Sequence, residues 1–330
     1  MQNGNVMIYG TLGPACSDPE ILKQMFREGL DGMRLNLSHT TLEESADTIA
    51  AFFAAAEACG KRPALIIDLQ GPELRIGRLD TPVLLEAGDV IAPDALPFPD
   101  EVRHALQTAS VGQPILLDDG KILLTADAPD RLRVARGGIL KSRKSVALPG
   151  IAIHTPALTE ADRIHIRNAK SFGVTGVMQP FVRGREDLAA VRAAIREAGG
   201  DLRLFAKIES VEGLQNLNEI IPCCDEIVIA RGDLGNAMEL WELPAAQKRI
   251  AEACRSAGRD FMVVTQMLDS MMHRAVPTRA EVSDIFNAVL DGAASVMVTG
   301  ETASGDFPVP VIRYLSKTAR EALRKISADS

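Results

Sequence analysis

An eightfold alternation constrains the fold more than any other feature of this 330-residue sequence. Short apolar runs at 6–9, 33–37, 64–68, 174–178, 202–208, 226–230, 261–265 and 295–299 are separated by longer amphipathic stretches. The runs are apolar almost throughout rather than alternating, the pattern of parallel strands covered on both faces. Helical spacing of apolar residues marks 18–28, 42–58, 160–171, 185–197, 211–221, 244–257, 279–290 and 309–326. Ser17-Asp18 with Glu20 reads as the opening of the first helix, Thr159 with Asp162 as a capping box before the third, and Gly29, Gly60, Gly173, Gly199, Gly258 and Gly292 as stops. Eight strand–helix pairs in this order predict an α/β fold, a (β/α)8 TIM barrel. Aromatic residues make up 4% of the sequence, with Trp241 the single tryptophan, so the core must be built from Leu, Ile, Val, Ala and Met.

One interval breaks the rhythm. From 79 to 144 the pattern is one of short strands (83–85, 89–91, 115–117, 122–124, 132–134) among prolines, with Asp118-Asp119-Gly120 as a hairpin-turn signal. A structureless stretch this long is rare in a compact fold. The expected organisation is a barrel from residues 1–78 and 145–330, with a small β domain, 79–144, inserted after the third strand.

The net charge is −8 and no block of like charge occurs, so a nucleic-acid footprint is absent. An acidic chain that binds an anion must gather positive charge locally. The five cysteines, Cys16, Cys59, Cys223, Cys224 and Cys254, are odd in number and form no C-x-x-C pair, which predicts neither a zinc site nor a disulfide framework. Reduced thiols, no secretory signal in the opening residues and no apolar run of membrane-span length lead to an expected cytoplasmic location, without membrane or nucleic-acid partners.

Chemistry in such a barrel comes from the C-terminal ends of the strands. Arg34, Asn36 and Ser38 follow the second strand at alternate positions, a set suited to a phosphate beside a cation, or to a satisfied polar strand end. Asp68 ends the third strand, where it needs a cation or donors, or serves as a turn residue. Lys207 and Glu209 end the fifth strand as a ligand-binding set or an internal ion pair. After the sixth strand, Gly232 and Gly235 flank Asp233 and allow close approach of a ligand to backbone N–H groups. Glu209 and Asp233 together form a pair of carboxylates of the kind Mg2+ prefers. Thr265, after the seventh strand, reads as a donor to a substrate carboxylate, a proton relay, or a plain strand-end hydroxyl. Glu301 after the eighth reads as structural.

These strand ends resemble those of the pyruvate kinase family. The matching runs, in the family's order, are 11–15 (TLGPA), 34–39 (RLNLSH), 68–75 (DLQGPELR), 117–120 (LDDG), 148–150 (LPG), 206–209 (AKIE), 230–235 (ARGDLG), 265–270 (TQMLDS), 277–281 (PTRAE) and 299–303 (TGETA). The resemblance implies Glu209 and Asp233 as ligands of Mg2+ (or Mn2+), and Lys207 as the lysine that stabilises the transferring phosphoryl group and the enolate. It implies Arg34 as a phosphoryl-binding arginine and Thr265 as the threonine near the proton-transfer face, with the Gly232 and Asp233 amides binding the substrate carboxylate. Asn36, Ser38, Asp68 and the Leu69 carbonyl resemble a K+ site, and Glu73 agrees with the potassium-requiring type. Pro14, His39, Arg75 and Lys144 resemble residues lining the ADP/ATP region. The implied reaction is phosphoenolpyruvate plus ADP to pyruvate plus ATP.

The sequence also departs from the family. Nothing in it matches the C-terminal regulatory domain, and the inserted lid domain is shorter than usual, so the expectation is a short form. The effector site and much of the tetramer interface would go with that domain, leaving a monomer or homo-oligomer, a dimer before the family tetramer. Thr40 stands where the family has glycine, Pro180 stands where a serine usually precedes Phe181, and Ala147 and Asn236 are unusual. The altered pocket motivates an alternative: a Mg2+-dependent enzyme acting on another phosphoenolpyruvate- or pyruvate-like acid, as an acid kinase, an oxaloacetate decarboxylase or an aldolase-type lyase. A non-catalytic sensor on the same barrel is a third reading, against which the retention of Lys207, Glu209 and Asp233 argues.

Overall fold

A parallel strand covered on both faces must be apolar on both, and the runs read from the sequence fold in that way. The computed structural model describes residues 5–118, 120–151 and 155–329. Eight parallel strands close a barrel: β1 (Met7–Thr11), β2 (Gly32–Asn36), β3 (Ala64–Asp68), β4 (Gly176–Gln179), β5 (Arg203–Ile208), β6 (Glu226–Ala230), β7 (Asp260–Val264) and β8 (Ser295–Met297). Along the barrel each pairs with its neighbours in sequence order, and β8 returns to β1.

Strand alternation sorts the side chains. Tyr9, Ile66, Met178, Phe205, Val228, Met262, Val264 and Met297 fill the barrel interior. The residues between them, such as Leu65, Ile67, Val177, Leu204, Ile227 and Val263, pack outward against the helices. The outer helices include Pro19–Glu28, Ala46–Ala58, Glu160–Asn168, Arg185–Glu197, Leu243–Ser256, Arg279–Leu290 and Pro308–Asp329. Of the Ser17-Asp18 pair it is Asp18 that caps, its carboxylate accepting from the N–H groups of Glu20 and Ile21; Thr159 with Asp162 closes a capping box, as the sequence predicts. Strand β7 stops at Val264, one residue short of the expected end, because Thr265 and Gln266 adopt φ of 80° and 54°. Two short helices, Arg231–Asn236 and Gly300–Ala303, follow β6 and β8.

The chain divides into two compact units, the barrel up to Gly71 and from Ala157 onward, and a smaller unit from Pro72 to Pro156. Backbone pairing carries the smaller unit beyond the 79–144 interval. Arg75 bridges Ser145, the Ile76 N–H donates to the Lys144 carbonyl at 2.9 Å, and the Val146 N–H donates to that of Leu74 at 2.8 Å. It holds an antiparallel sheet in the order Val146–Ala147, Pro114–Leu117, Ile122–Ala128, Arg131–Arg136, Val90–Ile91, and a pair made by Val83–Leu85 and Gly138–Leu140. Its own core includes Leu96, Phe98, Leu117, Leu124 and Val134. A helix, Asp100–Gln107, lies among its prolines; Val102 and Leu106 form its buried edge. Of the hairpin-turn signal, Asp119 lies outside the described residues. No described helix is long and apolar enough to cross a membrane.

Candidate active site

The interior-facing positions at the C-terminal ends of β2, β3 and β5 carry Arg34, Asn36, Asp68 and Lys207, with Glu209 one residue past β5. Asn36 and Asp68 are register partners on adjacent strands. Asp68 is the hub. Its Oδ2 accepts from Arg34 Nε at 2.8 Å and Nη2 at 2.7 Å, and its two oxygens stand 3.3 and 3.1 Å from the Lys207 ammonium. Lys207 turns its remaining side to Glu209 Oε1 at 2.9 Å. Glu209 Oε2 accepts the Phe181 N–H at 2.8 Å.

Both carboxylates are 2% exposed, so their electrostatics depend on partners rather than water. Burial alone would raise the Asp68 carboxyl, but Lys207 and Arg34 together hold it below the ordinary carboxylate range. Burial would lower the Lys207 ammonium, and Asp68 and Glu209 reverse this and drive it upward, so it stays charged. Burial pushes Glu209 upward against the pull of Lys207, with Asp233 and Asp68 adding to the rise. Glu209 thus faces two neighbouring carboxylates, Asp233 and Asp68, against the single ammonium of Lys207.

That balance at Glu209 bears on metal binding. Among the described residues no group of three or more His, Cys, Asp or Glu is arranged to hold a metal. A pair of carboxylates is nonetheless what Mg2+ uses when waters and substrate oxygens complete its shell, and the raised Glu209 beside Asp233 fits such an ion. For a monovalent cation, Asn36, Asp68 and Leu69 supply only oxygen at neighbouring strand ends, a donor set that fits. Ser38 is not on the strand as the alternation argument expected. It lies in the turn after β2, where its N–H donates to Asn36 Oδ1 at 3.2 Å.

Thr265 follows β7 in a left-handed conformation that costs a β-branched residue about 1–3 kcal/mol. Its side chain rests on Gly232; a Cβ at Gly232 would stand 3.0 Å from Thr265 Cγ2. Asp233 lies in the short helix after β6. Glu301 is buried and accepts from Leu268 N–H at 3.2 Å and Thr299 N–H at 2.7 Å, the structural role expected of it.

The residues expected to line a nucleotide fall on both units. On the barrel, Pro14 opens a short 3-10 helix after β1 and is exposed; the exposed His39 follows β2, its N–H donating to the Asn36 carbonyl. In the smaller unit, Arg75 donates to Glu73 Oε2 at 2.9 and 2.6 Å and to the Arg143 carbonyl, and Lys144 pairs with Asp118 at 2.7 Å.

Three contacts were not legible in the sequence. The Phe181 N–H that holds Glu209 depends on a left-handed Phe181, φ 50°. Asp162, read as a helix cap, also accepts the Gln70 N–H at 2.9 Å and the Gly71 N–H at 3.1 Å. Arg231, inside a quoted motif but given no role, makes the contacts described below. None has a local signal, because each partner is distant along the chain.

Comparison with known proteins agrees with this geometry. The family model described as pyruvate kinase, barrel domain, matches residues 3–312. A pyruvate kinase of Aeropyrum pernix is 37% identical over 98% of this chain and 72% of its own length, and one of Methylorubrum extorquens 38% identical over 96% and 68%. Human pyruvate kinase PKLR is 38% identical over 96% of this chain and 59% of its own length. With a closed eight-stranded barrel, a charged cluster at its strand ends and matches of this extent, the chain belongs to the pyruvate kinase family of phosphotransferase enzymes.

Proposed function

We propose that the barrel mouth catalyses phosphoryl transfer from phosphoenolpyruvate to ADP, giving pyruvate and ATP with one proton taken up at carbon. The observation that carries this reading is the Lys207 ammonium, buried between Asp68 and Glu209 and held charged by them. Phosphoryl transfer requires positioning and charge neutralisation more than covalent chemistry.

In this reading Arg34 and Lys207 hold the transferring phosphoryl group. Lys207 also meets the negative charge left on the enolate oxygen. A divalent cation at Glu209 and Asp233 would supply positive charge beside Lys207, and K+ at Asn36, Ser38, Asp68 and the Leu69 carbonyl would add to it. The Phe181 N–H keeps Glu209 aimed by occupying its second oxygen. The Gly232 and Asp233 amides orient the substrate carboxylate, and Thr265 handles the proton at the far face of the enolate. The nucleotide assignment to Pro14, His39, Arg75 and Lys144, a lid role for the smaller unit, and a cytoplasmic location rest on the family alone.

Pro180 favours keeping one second reading in the test. It brings a ring, packed toward Gly71, where the family's serine would bring a hydroxyl. A lyase on the same acid would need no nucleotide. Pyruvate formation from phosphoenolpyruvate is measured with Mg2+ and K+, with and without ADP. ADP-dependent pyruvate with matching ATP is the expected result. Absence of pyruvate in both, while the acid and Mg2+ still bind, overturns the kinase reading.

A further inference from the structure

Arg231 is committed almost wholly to one strained turn. Its side chain is 11% exposed. Nε and Nη2 both donate to the Thr265 carbonyl, at 3.1 and 2.7 Å; Nη2 also donates to the Gln266 carbonyl at 3.2 Å and reaches Met267 Sδ at 3.0 Å. Nη1 donates to Asp284 Oδ2 at 2.6 Å, which ties the guanidinium to the helix Arg279–Leu290. The two carbonyls that it binds belong to the residues with φ of 80° and 54°. On its far side the same loop is held by Glu301, which accepts the Leu268 N–H.

A threonine with free choice of backbone would leave the left-handed region, and its hydroxyl would move with it. Here the residue next to Arg231, Gly232, lies under the Thr265 side chain, where an added Cβ would stand 3.0 Å from Cγ2, tighter than ordinary contact. One dipeptide therefore fixes both the backbone and the side chain of Thr265. Lysine could not replace the guanidinium, because several acceptors are met at once by a planar fork of donors.

We propose that Arg231 is a positioning residue, which, braced by Asp284, holds the Thr265–Gln266 turn left-handed and so fixes the Thr265 hydroxyl at the barrel mouth. The proposal rests on the reading that Thr265 serves the proton-transfer step.

The test uses Arg231→Ala, Arg231→Lys, Asp284→Asn, Thr265→Ala and the double variant Arg231→Ala/Thr265→Ala in the full chain. Pyruvate formation and amide exchange across residues 264–271 are both measured. In Arg231→Ala, kcat falls about 10- to 100-fold with KM for phosphoenolpyruvate changed less than about threefold, the pattern of a misplaced group rather than lost binding. Methylguanidinium restores part of the loss, Arg231→Lys does not, and Asp284→Asn, the milder variant should Arg231→Ala fail to fold, gives an intermediate loss. In the Thr265→Ala background the same change costs less than about twofold, since the two act as one unit. Amide exchange at 264–271 quickens while the rest of the barrel is unchanged. Additive losses in the double variant, or unchanged exchange in this segment, overturn the proposal. If the wild type forms no pyruvate, the kinase reading has failed. The exchange data and their reversal by methylguanidinium then still decide whether Arg231 holds the turn.

Discussion

Lys207 stands 2.9 Å from Glu209, two residues further along the chain, and its ammonium is the shared counter-ion of Glu209 and Asp68. Replacing Lys207 with Met leaves two buried carboxylates with one cation fewer. Breaking a buried pair by removing one partner costs about 3–5 kcal/mol. Turnover is expected to vanish, and the urea midpoint at pH 8 to fall accordingly. The deficit narrows toward pH 5, because carboxyls deprived of Lys207 take up protons more readily in the folded state. Equal stability of variant and wild type at pH 8 would show that the ammonium is not the counter-ion inferred here.

At the opposite end of the barrel, Glu226 is buried at the start of β6, where the Ser295 hydroxyl donates to it and Arg203 stands 3.0 Å away. Burial pushes its carboxyl up to about 7 despite these partners. The sign follows from linkage. Folding favours the protonated form, so the stability that Glu226 leaves in place is full below its ordinary value near 4.5 and is lost as pH rises through about 7. The loss amounts to about 3 kcal/mol. Glu226→Gln removes this dependence. Measured by urea unfolding from pH 5 to 8, the variant should gain on the wild type as pH rises; a stability difference independent of pH would refute the assignment.

The sequence shows most of what local forces decide and little of what distant partners impose. Strands β3 and β6 could be bounded to the residue because a continuous apolar run ends at a charged or glycine-flanked position. The end of β7 was misplaced at Thr265 because threonine favours strands, while its left-handed turn is held by Arg231, 34 positions away. The helix Asp100–Gln107 was hidden by Pro97 and Pro99, which read as turn residues. At the site, residue types and strand ends were legible, but the choice of Asp68 as hub was not. Its partners lie 34 and 139 positions away, and only barrel closure brings them together.

Asp162 combines two duties that the sequence shows as one. Fully buried, it closes the capping box with Thr159 and also accepts the N–H groups of Gln70 and Gly71, just past β3. Asp162→Ala removes one half of the capping box and strands three backbone donors, those of Thr159, Gln70 and Gly71, which together should cost about 3 kcal/mol. Asp162→Asn, which keeps one acceptor oxygen, should cost less. Urea unfolding of both variants checks this order. A cost for Asp162→Ala no larger than that of an ordinary surface cap would mean that the Gln70 and Gly71 contacts contribute nothing.

Gly71 and Pro180 test whether the departure at Pro180 has been accommodated by its surroundings. Gly71 has φ of +60°, and a Cβ there would come 2.5 Å from Pro180 Cγ and 3.1 Å from Cδ. A proline ring cannot swing aside, and Asp162 holds the Gly71 N–H, so neither partner yields easily. Gly60 supplies the control, with φ of +65° and nothing within 4 Å. Gly60→Ala should cost only the left-handed penalty, about 1–2 kcal/mol. Gly71→Ala adds overpacking of about 1–3 kcal/mol. Pro180→Ala removes the obstructing ring, so the Gly71→Ala/Pro180→Ala pair should be more stable than the sum of the single changes by about 1–2 kcal/mol. Strict additivity, or equal costs at Gly60 and Gly71, would mean that the two residues do not constrain each other. Coupling of the expected size would mean that Pro180 requires glycine at 71, and hence that the turn after β3 and the floor after β4 must be read as one unit.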